Sequence, residues 1–206
     1  LEIISIDPDF MKVPSATNTN FELLGRMCED YPGVIHLSLG MTSRQEEENV
    51  VEFFLKKDRA TDLILYACTS GYPVPPERAC LMEVTRLKES YGSIVRAIGY
   101  SGHHEGITLD VAAFALGAAY LERHFTLDKT WKGTDHSASV EPDELRELKR
   151  NLDEVGKALT YKTSEILDIE APQRKKLKWD REGIDKQDLS ENAEQEERPR
   201  VYALKG

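Results

Sequence analysis

The chain is poor in cysteine, tryptophan and positive charge, and it has no long apolar run. Its three cysteines, Cys28, Cys68 and Cys80, leave an odd thiol and show no short framework spacing. That argues against a disulfide scaffold and for reduced thiols in a cytoplasmic setting. No apolar stretch has the length of a membrane span, and no secretory signal pattern is evident. Lys and Arg number 27 against 37 Asp and Glu, giving a net charge of −10. This balance argues against a nucleic-acid footprint, and any anionic substrate needs a local cationic or amide-lined pocket. With 206 residues and 40% apolar content, the chain allows one domain with a real core.

What is present is an alternation of strand-like and helix-like segments about every 25 to 30 residues. Strands are predicted at 10–13, 33–40, 62–68, 97–103 and 119–125. Helices are predicted at 20–30, 44–57, within 76–91, at 111–118 and at 142–159. The strands read as continuous apolar runs, which suits a parallel sheet buried on both faces. The last helix opens on Ser139-Val140-Glu141-Pro142, a proline and acidic start. Five βα units fit either an open doubly wound sheet or part of a barrel, whose complete form needs about 250 residues. From Ala171 the character changes. Arg174, Lys175, Lys176 and Lys178 form a basic cluster that reads as a solvated helix end. Residues 180–200 are polar and nearly free of large apolar side chains, so a disordered or loosely docked tail is expected over 166–206.

Four of the five histidines lie between positions 103 and 136. Two of them, His103 and His124, close short apolar runs where parallel strands should end. Strand C-termini in such folds face a shared mouth, so two imidazoles there could converge on one divalent metal. His104 adjoins His103 and should point the other way, so only one of the pair can join His124. Glu122 shares the face of His124, as an outer-shell partner, a hydroxyl acceptor or a ligand. Arg123 should face the helix layer as a structural residue.

Three further groups stand near predicted strand ends. Lys12 and Ser15, with Ser38 on the next strand, could cradle a phosphate or carboxylate, since an unpaired buried lysine is costly. A salt-bridged lysine with turn serines is the plainer reading. In Cys68-Thr69-Ser70-Gly71-Tyr72-Pro73, Tyr72 could pack on a sugar or cap the core. In Lys132-Gly133-Thr134-Asp135-His136, Asp135 and His136 form a candidate acid/base or hydroxyl-binding pair.

Together these segments resemble the sialic acid synthase family. The resemblance rests on Ile98-Gly99-Tyr100-Ser101-Gly102-His103, on Leu121-Glu122-Arg123-His124, and on Leu127-Asp128-Lys129-Thr130-Trp131-Lys132-Gly133-Thr134-Asp135-His136-Ser137-Ala138-Ser139. Lys12-Val13-Pro14-Ser15 and the Cys68–Pro73 stretch also fit. The match covers roughly residues 1–165 and is most similar to the animal enzymes.

The resemblance implies a (β/α)8 TIM barrel, here represented by about five βα units that match its strands 4 to 8. It implies condensation of phosphoenolpyruvate with N-acetylmannosamine or its 6-phosphate, giving N-acetylneuraminate or its 9-phosphate, plus phosphate. A divalent metal, manganese or magnesium, would sit on the residues matching the family's ligands, His103 and His124. The phosphoenolpyruvate contacts match Lys12, Ser15, Ser38 and Ser101. The sugar contacts match Ser70, Tyr72 and Asp135, with Glu122 beside the metal; Glu122, Asp135 and Tyr72 are the candidate catalytic groups. A homodimer is the implied assembly. The family barrel begins with three further strands, which carry an acidic residue and another lysine, and it has a C-terminal antifreeze-like domain. This chain opens where the fourth strand would be and does not resemble that domain after about Leu167. The alternatives are a non-catalytic half-barrel acting as a binding or regulatory protein, or a related synthase for another amino sugar.

Overall fold

The computed structural model describes residues 8–179, so the polar stretch at 180–200 lies outside the described residues. Five strands are described: β1 (Phe10–Val13), β2 (Val34–Ser38), β3 (Leu63–Cys68), β4 (Ala97–Gly102) and β5 (Tyr120–Arg123). They pair in parallel in the order β1-β2-β3-β4-β5. Every crossover steps to the adjacent strand in the same direction, with no reversal of order. A doubly wound sheet has such a reversal and a barrel does not, so the sheet is a curled half-barrel.

The register sorts the side chains onto two faces. Lys12 pairs with His36, Ser38 with Tyr66, Cys68 with Ser101, and Ser101 with Glu122, so all of these lie on one face. The intervening residues, including Val13, Ile35, Leu37, Leu63, Leu65 and Ile98, lie on the other face and are buried. That second face packs with Leu24 and Met27 of α1 (Phe21–Asp30) and with Val50, Val51 and Phe54 of α2 (Arg44–Lys56). Val84 and Leu87 of α3 (Met82–Tyr91) and Ala113 of α4 (Thr108–Ala115) complete it. The hydrophobic core is thus the layer between the convex sheet face and the helices. The concave face is left polar and aromatic.

Local chemistry sets the helix starts. Asn20 accepts a bond from Leu23 N at 3.1 Å and caps α1. Ser43 and Glu46 form a capping box at α2, with Ser43 N donating to Glu46 Oε2 at 2.8 Å. Glu141 and Glu144 do the same at α5 (Pro142–Ala158), where Pro142 takes the first turn as its sequence predicts. The helix expected at 111–118 instead runs Thr108–Ala115. It cannot continue through Gly117, whose φ of +106° is left-handed. The segment 76–91 divides into a 3-10 turn at Pro76–Arg78 and α3.

Residues 160–179 belong to a second unit. In it Lys162 Nζ lies 2.8 Å from Glu170 Oε1, and α6 (Ala171–Leu177) carries Arg174, Lys175 and Lys176 in its last turn. Cations at a helix C-terminus are favourable and here are exposed. Among the described residues no helix is long and apolar enough to cross a membrane.

Candidate active site

The C-terminal ends of the five strands open on a cavity of about 410 Å³ on the concave face. Lys12, Ser15, Ser38, Ser101, Glu122 and both strand-end histidines line it. Each side chain arrives by period-two alternation on a strand, or sits one or two residues beyond a strand's end. The site is therefore held by the sheet rather than by long loops.

On one side stands an ammonium cluster. Lys12 Nζ donates to Ser38 Oγ at 2.8 Å and to the Val13 carbonyl at 3.1 Å. Glu122 Oε2 lies 3.4 Å from the same nitrogen, and Ser38 Oγ donates to that oxygen at 3.4 Å. The lysine is thus an ion-paired residue, as the plainer sequence reading has it, yet its partners also face the cavity. It remains partly open, with 24% of its side chain exposed, so an incoming anion can share it.

Beside this cluster Gly40 makes a narrow recess. Its N–H donates to Ser15 Oγ at 3.0 Å. A Cβ at Gly40 would stand 2.3 Å from Ser70 Oγ and 2.7 Å from Ser15 Oγ, so a larger residue would have to displace both hydroxyls. Ser70 Oγ is buried and without a hydrogen-bond partner, a hydroxyl with unspent capacity. Ser70 therefore shares the Gly40 recess with Ser15. Asn18 is buried and fixes this corner, donating to the Ser38 carbonyl at 3.0 Å and to Thr42 Oγ1 at 2.6 Å. Sequence reasoning missed Gly40 and Asn18. The glycine two residues after Ser38, just past the end of the second strand, is the signal that could have found it.

On the other side the two histidines meet. The His103 and His124 rings lie 5.2 Å apart between centroids, nearly edge to face. Tyr72 packs on both, at 4.7 Å from His103 and 5.7 Å from His124. Tyr72 is neither a core cap nor remote, since the residue is 47% exposed and its ring walls the histidine pair. Burial, with the nearby Cys68, Asp135 and Glu122, pushes its phenol above the ordinary value, so it stays a proton donor at neutral pH. Burial holds His103 below the ordinary histidine value; burial and the neighbouring His103 do the same for His124.

As expected of neighbours on a chain, His104 turns away. It stacks near Tyr100 and lies 3.1 Å from Arg123 behind the sheet. The expected Asp135–His136 pair also separates. Asp135 Oδ2 comes within 3.7 Å of His124 Nδ1, whereas His136 Nδ1 bonds Thr126 Oγ1 at 2.8 Å and its ring packs on Trp131. The 3-10 turn His136–Ala138 begins between them and sends the two side chains in different directions.

The histidine pair fits a divalent cation. His103 Nδ1 lies 3.1 Å from the Thr69 carbonyl, which only accepts, so Nδ1 carries the proton and Nε2 keeps its lone pair. A backbone carbonyl behind a ligating histidine is the usual outer partner of such a ligand. Among the described residues no third His, Cys, Asp or Glu completes a preformed cluster. Two nitrogens would leave open positions for water and substrate, which a structural site does not keep.

Comparison with known proteins gives a consistent result. Residues 1–164 match the NeuB family. The mouse N-acetylneuraminate-9-phosphate synthase is 42% identical over 168 residues, which is 82% of this chain and 45% of the mouse protein. An N,N'-diacetyllegionaminic acid synthase of Campylobacter jejuni is 37% identical over 149 residues, 72% of this chain and 43% of that protein. The chain thus spans under half the length of these curated relatives. The sialic acid synthetase of Leptospira borgpetersenii, solved with citrate, superposes with a TM-score of 0.73 at 32% identity, covering 85% of this chain and 61% of that one. A truncated 3-deoxy-D-arabino-heptulosonate 7-phosphate synthase of Thermotoga maritima matches with a TM-score of 0.60 at 19% identity, a likeness of fold alone.

Proposed function

Since the chain belongs to the NeuB family, we propose that it carries the metal- and phosphoenolpyruvate-binding residues of a sialic acid synthase-type active centre. One observation carries the proposal. An ammonium-and-hydroxyl cluster and a histidine pair face each other across one cavity on the concave face.

The reaction joins the methylene carbon of phosphoenolpyruvate to the aldehyde carbon of open-chain N-acetylmannosamine or its 6-phosphate. Water adds at the adjacent carbon, and phosphate leaves by cleavage of its bond to that carbon. Lys12, with Ser15, Ser38 and Ser101, holds the anionic groups of phosphoenolpyruvate. The Ser70 hydroxyl, which the resemblance assigns to the sugar, is unpartnered in its recess and free to accept or donate one contact. Manganese or magnesium on His103 and His124 would polarise the aldehyde oxygen. Tyr72 is placed to donate to a sugar oxygen, and the Asp135 carboxylate to accept from a sugar hydroxyl. Glu122, between Lys12 and the histidines, is placed to take the proton released by the attacking water. The relative named for diacetyllegionaminic acid keeps the acceptor open, so the amino sugar is part of the test.

The test is calorimetric titration of Mn2+ and then phosphoenolpyruvate into the chain, followed by phosphate release with N-acetylmannosamine, its 6-phosphate and other amino sugars. Binding of both, with turnover on one sugar, is the expected result and names the acceptor. If a folded chain binds neither, the proposal falls.

A further inference from the structure

Arg123 lies between the two site residues Glu122 and His124 but points the opposite way, behind the sheet, where only 3% of its side chain is exposed. Its guanidinium gathers backbone oxygens from two separate loops. Nη2 donates to the His104 carbonyl at 2.6 Å and Nη1 to the Gly106 carbonyl at 2.8 Å, both in the loop after β4. Nη2 also donates to the Ala138 carbonyl at 3.1 Å, in the loop after β5. Asp110, fully buried at the start of α4, pairs with Nη1 and orients the fork.

Each gripped oxygen is close in sequence to a site residue. His104 follows His103 directly. Ala138 lies three residues after Asp135, and Ser139 Oγ ties back to the Asp135 carbonyl at 2.8 Å. One rigid, planar side chain thus spans the loops that present His103 and Asp135, while its own backbone presents His124. Arg is suited to this because its donors diverge in a fixed plane, which a lysine cannot reproduce. Asp110 Oδ1 and Arg123 Nε are buried without hydrogen-bond partners. A buried pair left partly unsatisfied is a poor device for stability alone, and this one delivers direction.

The geometry points to Arg123 as a positioning residue that sets the spacing of His103, His124 and Asp135 from behind the sheet. The inference rests on the metal-site reading above. It predicts that Arg123→Lys folds but presents the two histidines loosely, weakening Mn2+ binding about 10- to 100-fold, the range for lost outer-shell partners.

The experiment measures free Mn2+ by electron paramagnetic resonance during titration of the wild-type chain, Arg123→Lys, Asp110→Asn and His103→Ala, well below the melting temperature. Circular dichroism confirms folding at that temperature. The expected order of affinity is wild type, then Asp110→Asn, then Arg123→Lys, with His103→Ala lowest. Wild-type Mn2+ affinity in a folded Arg123→Lys overturns the positioning role, because a purely structural arginine moves the melting temperature alone. If Arg123→Lys does not fold, Asp110→Asn decides: unchanged affinity overturns the inference and a severalfold loss supports it. Unchanged binding in His103→Ala sinks the metal-site reading instead, so the two failures are distinct.

Discussion

The same five strands carry two chemistries. On the convex face, Leu37, Leu63 and Leu65 are fully buried in the core under the helices. On the concave face, one residue along each strand, stand Lys12, Ser38, Tyr66, Ser101 and Glu122. Alternation separates the faces strand by strand, so the apolar convex positions can be perturbed apart from the site; Arg123, which grips the loops of His103 and Asp135 from behind, is the exception. His103 and His104 show the same contrast at the scale of a dipeptide: one faces the cavity, the other the buried Tyr100 and Arg123.

The comparison can be broken most sharply at the histidines. His103→Ala or His124→Ala is expected to weaken Mn2+ binding by more than about 100-fold, beyond the loss of an outer partner, with little change in melting temperature. Coupled loss of both would mean that the faces are not separable. The converse is Leu65→Ala on β3. It should cost about 2–5 kcal/mol of stability through the cavity it leaves, measured by urea unfolding. Mn2+ affinity in the folded fraction should not change.

A smaller effect is expected at Lys12→Met. Losing a charged donor to phosphoenolpyruvate costs about 1.5–3 kcal/mol of binding, roughly a 10- to 150-fold rise in Kd by calorimetry. Its ion pair with Glu122 is partly exposed, so stability should shift by less than about 1 kcal/mol. An unaffected Kd would remove Lys12 from the anion site.

The smallest effect concerns His36, which is buried on the concave face with Nδ1 2.7 Å from the Tyr66 hydroxyl. Burial, helped by Lys12, lowers its pKa from the ordinary 6.5. The unfolded chain then binds a proton more readily than the folded one. This contribution to stability is complete above about pH 6.5 and is lost as pH falls through the unfolded value towards the depressed folded one. In His36→Gln the slope of stability against pH below 6.5 should flatten, by chemical unfolding at a series of pH values. An unchanged slope would assign the acid sensitivity elsewhere.

Much of this was legible in residue order. Apolar runs ending on His103 and His124 marked the strand ends, and alternation assigned Glu122 to the site and Arg123 to the helix layer. It also separated His103 from His104, because side-chain direction on a strand is a local property. Order did not reveal the Gly40 recess, the placing of Ser70 with Ser15, or the parting of Asp135 from His136. Those depend on loop paths, and loop paths are set by contacts far apart in sequence, such as Asn18 with Ser38 and Thr42. Nor could periodicity choose between a doubly wound sheet and a barrel, since both repeat the same βα unit; the uninterrupted strand order decided it. The sequence by itself determined which residues face which way, because the 180° alternation of a strand is written one residue at a time. Only the tertiary structure decided which of them meet, because Lys12 reaches Glu122 and His103 reaches His124 through the curl of the whole sheet.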